Sequence, residues 1–239
     1  TGLISLISGI VSIVSSSVFL ILLTRTLTVE QYGTWGLIGG LIIYPIALEP
    51  IVSYWSLREI ARGNNSGKTA IFSSGLLSII GIIVYITIVY LFQQANDVDP
   101  TALIFAVIMI PSIFLFNTMI SITTGWKPHA SSYGLIFYGM SLIPTILIFL
   151  YVFDLGIPGV IFSSAISYLI GTIFLVIYSR HKIINNIDPK FLKKWIKLSW
   201  LALYNNGLSS VLFRSDVLIF VLITDSIVSL AYWTVAMSI

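Results

Sequence analysis

Two short stretches of this chain place charge where charge is expensive. Arg214-Ser215-Asp216 lies well inside one apolar run, and Glu49 lies inside another, bracketed by Pro45 and Pro50. A guanidinium cannot shed its charge by deprotonation, so Arg214 requires a partner, a water-filled cavity or an anionic ligand. Residues two apart do not share a helix face, so Asp216 is not its simple local partner. A carboxylate at such a depth must be protonated, paired or facing water, which makes Glu49 a candidate protonation or cation site. The competing readings are structural. Arg214 then pairs with an acid on another helix, and Glu49 reaches the nearby interface, about 22 Å down from Thr34 at 1.5 Å per residue. Arg25 then snorkels to headgroups, and Arg58 and Arg62 serve orientation alone.

Other chemistry is sparse. Gly63-Asn-Asn-Ser-Gly-Lys-Thr69 looks like a phosphate-binding loop, but it has three residues between its glycines where the motif needs four, and no strand precedes it. It reads as a polar turn in which Ser66 or a neighbour caps the next helix. Asn64-Asn-Ser66 also fits a glycosylation acceptor, on the side of the membrane where it would go unused. The absence of cysteine excludes disulfides, thiolate catalysis and Cys-ligated metals. His129 and His181 read as ordinary loop residues. No spacing suggests a metal site, a nucleophile with a paired base or a nucleotide fold.

The elements that must position these charges are set by hydropathy. Of 239 residues, 57% are hydrophobic and 9% charged, with a mean hydropathy of +1.03. Soluble domains carry about 25% charged residues, so the outer face of this chain has lipid as its natural solvent. Seven full spans are expected: Gly2–Thr24, Thr34–Leu57, Ala70–Phe92, Thr101–Thr123, Tyr133–Phe153, Ile157–Ser179 and Ile196–Ile223, with an eighth beginning near Ile227. Each is long enough for a hydrocarbon core about 30 Å thick. Unpaired backbone groups are costly in lipid and the runs lack the alternation of a membrane barrel, so all-α spans are predicted. The small-residue spacings Gly36/Gly40 and Ser8/Ser12/Ser16 suit close helix approach.

The basic residues fall in alternate loops. Arg58, Arg62 and Lys68, then Lys127, then Arg180, Lys182, Lys190, Lys193, Lys194 and Lys197 occupy the even-numbered ones, and only Arg25 stands in an odd one. Cytoplasmic loops collect Lys and Arg, which predicts a multi-pass protein of the cytoplasmic membrane with its N-terminus inside. The same rule explains a pI of about 9.1 with no nucleic-acid partner. The outer loops are short and mostly acidic, with Glu30, Asp97, Asp99 and Asp154. Lys190–Lys197, opened by Asp188-Pro189, reads as an amphipathic helix resting on anionic headgroups, its lysines opposite Phe191, Leu192, Trp195 and Ile196. Asn205, Asn206 and Gly207 suggest a bend in the seventh span. The expected organisation is a six-helix lobe over 1–180, a basic connector over 181–197, and the start of a second lobe over 198–239. No signal peptide is expected, and the short last run marks the N-terminal part of a longer protein. A shift of 200 residues matches Thr24, Tyr32 and Thr34 with Thr224, Tyr232 and Thr234, where a parallel repeat would place them.

Leu23-Thr-Arg-Thr-Leu-Thr-Val-Glu-Gln-Tyr-Gly-Thr-Trp-Gly36 resembles the first outer loop of the polysaccharide flippases of the MOP superfamily. Leu57-Arg-Glu-Ile-Ala-Arg62 is similar to the basic turn after that family's second helix. Phe213-Arg-Ser-Asp-Val-Leu218 and Leu230-Ala-Tyr-Trp-Thr-Val-Ala236 are similar to its seventh helix and the start of its eighth. The resemblance implies a transmembrane helix bundle of two six-helix lobes around a central cavity, working by alternating access. Its substrate would be a lipid-linked oligosaccharide held by its polyprenyl pyrophosphate, for cell-surface polysaccharide synthesis, with glycan-assembly enzymes as candidate partners beside the membrane lipids. By position, Arg25 and Arg214 would serve the outer half of the cavity and Arg58 and Arg62 its inner mouth. Guanidinium suits pyrophosphate, since it offers bidentate donors and a permanent charge.

Two other readings stand beside this one. An ion-coupled multidrug exporter of the same superfamily would use cavity carboxylates, with Glu49 and Asp216 as ion-coupling residues and H+ or Na+ as the ion. An integral-membrane enzyme of glycan assembly would need a large outer domain, and the outer loops here are short. The expectation is therefore a transporter without catalytic residues, cofactor or metal.

Overall fold

The computed structural model describes residues 2–95, 100–184, 186–204, 209–224 and 226–238. The described residues form helices and their connections, with no strand among them. Helix α1 (Gly2–Thr26) leads through a short turn into α2 (Val29–Ile46). A capping box starts α2: Gln31 N–H donates to Thr28 Oγ1 at 3.2 Å, and Thr28 N–H donates to Gln31 Oε1 at 3.2 Å. These pairs satisfy two of the donors that a helix start leaves orphaned. Pro45 and Pro50 then end the regular run, because each lacks a donor and crowds the preceding turn. Helix α3 (Pro50–Ala61) leaves α2 at an angle of 57°.

Helix α4 (Gly67–Ala95) crosses back, and α5 (Pro100–Phe105) runs through one 3-10 turn into α6 (Met109–Trp126). Helix α7 (Pro128–Leu147) ends in a π-helical turn, Ile148–Val152, and α8 (Gly156–Tyr178) completes the lobe. Five helical stretches are long and apolar enough to cross a membrane, and the bent α2–α3 pair makes a sixth. The first six expected spans are these six, with ends moved by a few residues. Asp97 and Asp99 lie outside the described residues.

The lobe is built around α6 and α8. About half of each apolar window is buried there, against 17% for α1 and 28% for α4. Exposed Leu3, Ile13, Ile79 and Ile83 put the outer faces of α1 and α4 toward lipid. The core runs through Leu41, Tyr85, Ile110, Phe114 and Ile161. Polar glue joins α7 to α8, where Thr145 Oγ1 and Ser167 Oγ are 3.1 Å apart.

The residues of the basic loops gather at one end of the bundle. Gly63 takes a positive φ of 89°, and residues 63–66 form the turn that leads into α4. Ser66 Oγ does not cap α4: it is buried without a hydrogen-bond partner. The first turn of α4 is used for docking, since Thr69 Oγ1 accepts a hydrogen bond from Asp188 N–H at 3.0 Å.

That bond seats helix α9 (Pro189–Ala202), whose first turn is capped by Asp188 Oδ1 accepting from Lys190 N–H at 2.9 Å. The amphipathic segment therefore extends to Ala202, beyond Lys197. Its apolar side sinks Trp195 completely among Val52, Trp55 and Ile60. This corrects the expectation of a single span over Ile196–Ile223: the amphipathic pattern continues through Trp200, so the first residues assigned to that span belong to α9. Asn205, Asn206 and Gly207 lie outside the described residues. Beyond them come α10 (Ser209–Arg214), a turn at Ser215, α11 (Asp216–Thr224) and α12 (Ile227–Ser238).

Candidate functional site

Helices α11 and α12 pack on the first six spans through α2. Two glycines allow this close approach. A Cβ on Gly36 would come within 2.5 Å of Thr234 Oγ1, and one on Gly40 within 2.6 Å of Val217 Cγ1. These are the small residues whose four-residue spacing suggested helix contact. The segments related by the 200-residue shift thus lie against each other, α2 against α12.

Between α1, α2, α11 and α12 opens a cleft of about 620 Å³. Aromatic walls come from Phe19, Tyr32, Trp35 and Trp233, and Ser16, Ser17 and Thr234 supply hydroxyls. Phe19 and Trp35 meet at 6.0 Å between ring centroids, and Trp233 stacks on Phe220 at 5.0 Å. Trp233 Nε1 is buried with no hydrogen-bond partner.

Asp216 is the one charged side chain among the described residues that line this cleft. It opens α11, where the positive end of the helix dipole favours a carboxylate. The turn that sets it is held by Ser215 Oγ donating to Val211 carbonyl oxygen at 2.7 Å, with Tyr44 Oη 3.4 Å from the same hydroxyl. A carboxylate beside aromatic faces is an arrangement that attracts organic cations.

The other candidates lie elsewhere. Arg25 is exposed in the last turn of α1 and is not a lining residue. Arg214 ends α10, two residues before Asp216, and its side chain lies outside the description. Glu49 is buried at the α2–α3 break, where Ser53 Oγ donates to its Oε2 at 2.9 Å, and it does not line the cleft. Arg58 and Arg62 are exposed at the basic end, Arg58 lying over the Tyr54 ring at 4.2 Å. The structure thus brings only Asp216 of the six into the cleft by a described side chain.

Sequence reasoning passed over Glu59. It is 1% exposed, accepts from Lys194 Nζ at 2.7 Å and Asn64 Nδ2 at 2.6 Å, and lies 3.7 Å from Arg62 Nη1. This cluster clasps α9 onto α3. The available signal was an acid set between Arg58 and Arg62 at the end of a span.

No protein-family model matches the sequence, and comparison with curated proteins finds no match. Solved structures do match. A MATE transporter in complex with MaD5 superposes with a TM-score of 0.64, over 91% of this chain and 53% of that one, at 14% identity. A MOP superfamily transporter from Pyrococcus furiosus gives 0.61 over 90% and 51%, at 16% identity. An outward-facing multidrug resistance MATE family transporter gives 0.61 over 89% and 52%, at 14% identity. This chain has the helical fold of MOP-superfamily transporters. It spans about half the length of these solved transporters, and identities this low speak to fold alone.

Proposed function

We propose that this chain supplies the first lobe, and the entry to the second, of an alternating-access transporter in the cytoplasmic membrane that carries cationic amphiphiles. The observation that carries this reading is the carboxylate of Asp216, the one charged side chain among the described residues that line an aromatic cleft. Apolar walls with a few placed polar groups are what small-molecule sites share, and the sign of the placed charge selects the substrate. Two of the structural neighbours lend support by their descriptions. One is a multidrug resistance transporter, and for the other reversed polarity of the binding pocket is taken to suggest a different function.

The test is binding of tetraphenylphosphonium to the full-length protein in lipid vesicles. Asp216→Asn should weaken binding about tenfold to a hundredfold, since a hydrogen bond or ion contact to a charged group is worth about 1.5–3 kcal/mol. Equal affinity in the variant would remove Asp216 from the site.

A second reading, translocation of a lipid-linked oligosaccharide, keeps one observation in its favour. Arg214 closes α10 immediately before the Ser215 turn, so a permanent cation stands two residues from the cleft's carboxylate. Under that reading, Arg214→Ala lowers lipid-linked glycan translocation at least tenfold, and unchanged flux removes this residue from it.

A further inference from the structure

We propose that the ends of α6, α7 and α8 at the basic side of the bundle hold one anionic phospholipid, its acyl chain along a ladder of aromatic rings and its phosphate beside Lys127 and Arg180.

The ladder follows from spacing and close packing. Tyr133 and Phe137 on α7, and Phe174 and Tyr178 on α8, are each four residues apart, so each pair shares a helix face. A glycine lets the two helices approach: a Cβ on Gly134 would come within 2.5 Å of Leu175 Cδ1. The rings then meet across the seam. Phe137 stacks on Phe174 at 3.9 Å between centroids, and Tyr133 lies 5.6 Å from Tyr178. Trp126, at the end of α6, continues the row 5.8 Å from Tyr178. Phe137 is 40% exposed, and Met140, Ile173 and Ile177 beside it are more so, which turns the strip toward lipid and away from the substrate cleft. The strip reaches from the basic end to Phe137, nine residues into α7, or about 14 Å at 1.5 Å per residue. That is close to the depth of one leaflet, half of a hydrocarbon core about 30 Å thick.

Cations stand at the head of the ladder. Lys127 Nζ lies 4.4 Å from the Trp126 ring centroid, and the His181 ring meets Trp126 at 4.2 Å. Arg180 precedes His181, and Lys127, Arg180 and His181 are all exposed. Neither Lys127 nor Arg180 forms an ion pair among the described residues, where both ion pairs go to Glu59. No acid lies in α6, α7, α8 or the turn Arg180–Lys182 to neutralise them.

This combination specifies the ligand. A phosphate takes paired donors from a guanidinium and a point charge from an ammonium. Tyr and Trp, apolar in body and polar at the tip, suit the level where acyl chain gives way to headgroup. A soluble anion would use the cations and leave the ladder idle; a phospholipid uses both. The orientation expected from the basic loops makes the inner leaflet its source.

An ordinary interfacial belt of aromatic residues shows no preference among headgroups, so headgroup selectivity is the test. The full-length protein is reconstituted in phosphatidylcholine vesicles with increasing fractions of brominated phosphatidylglycerol, or of brominated phosphatidylcholine. Bromine quenches tryptophan on contact, and subtracting the signal of Trp126→Phe isolates Trp126. Half-quenching should need about a tenfold smaller fraction of the brominated anionic lipid. Lys127→Gln combined with Arg180→Gln should make the two curves coincide. Should that pair fail to fold, Arg180→Gln alone should cut the preference about threefold. Lys193→Gln with Lys197→Gln removes the same charge from exposed positions on α9 and should leave the preference in place. Millimolar glycerol phosphate should not compete. Coincident curves for the unmodified protein, a preference untouched by loss of Lys127 and Arg180, an equal loss in the α9 variant, or displacement by glycerol phosphate would each overturn the proposal.

Discussion

Lys194 Nζ lies 2.7 Å from Glu59 Oε1, and 135 residues separate them along the chain. The acid is buried and the lysine side chain is 45% exposed, so the pair is asymmetric. Removing the lysine leaves a buried carboxylate with only Asn64 and the more distant Arg62. Lys194→Ala should therefore destabilise the protein by about 1–3 kcal/mol, read as a lower midpoint in thermal unfolding. Combining Glu59→Gln with Lys194→Gln should recover much of that loss, because no uncompensated charge remains. Equal midpoints for Lys194→Ala and the unmodified protein would show that the clasp contributes nothing. The contrast with Asp216 explains what can be read at this scale. Asp216 is conspicuous because it lies inside an apolar run and Arg214, two residues away, does not share its helix face. Glu59 hides because Arg58 and Arg62 seem to answer it, while its strongest partner comes from a distant helix that no local pattern names.

At the scale of elements, run length and composition fix most of the helices. α1, α4, α6, α7 and α8 are continuous because apolar stretches of this length have no other way to satisfy their backbones in lipid. The α2–α3 bend was foreshadowed by Pro45 and Pro50, but its angle depends on packing that sequence does not state. The end of α9 was misplaced for a physical reason. Trp200 and Ile196 are apolar yet exposed, at 79% and 62%, so hydropathy counts them as span although they lie on the outer side of an amphipathic helix. The Gly36 contact gives this scale its prediction. Gly36→Ala drives a methyl group onto Thr234 Oγ1, so α2 and α12 must separate, at a cost of about 1–3 kcal/mol. Thermal unfolding should show the loss, and Thr234→Ala in the same protein should restore part of it. No recovery would mean that the seam does not pass through this pair.

For the whole molecule, the grouping of the basic loops at one end of the bundle is consistent with their all facing the cytoplasm. The chain lacks cysteine, so single cysteines can report sidedness without background. A cysteine in place of Lys127 should react with a membrane-impermeant maleimide only in inverted vesicles, and one in place of Arg25 only in intact cells. Reaction of both from the same side would overturn the orientation. The first six spans were visible in the hydropathy, but the cleft was not. Its walls come from residues 16–40 and 216–237, which only tertiary packing brings together, and Asp216 is the one charged side chain among the described residues that line it.

The clasp between Glu59 and Lys194 also orders events during synthesis. At about 5–20 residues per second, the ribosome needs roughly 7–27 s to add the 135 residues from the acid to its distant partner. Through that wait only Asn64 and Arg62, made within a second or so, can shield the carboxylate. The nascent lobe is thus left with an unfinished inner surface until the connector emerges, and its assembly proceeds in the direction of translation.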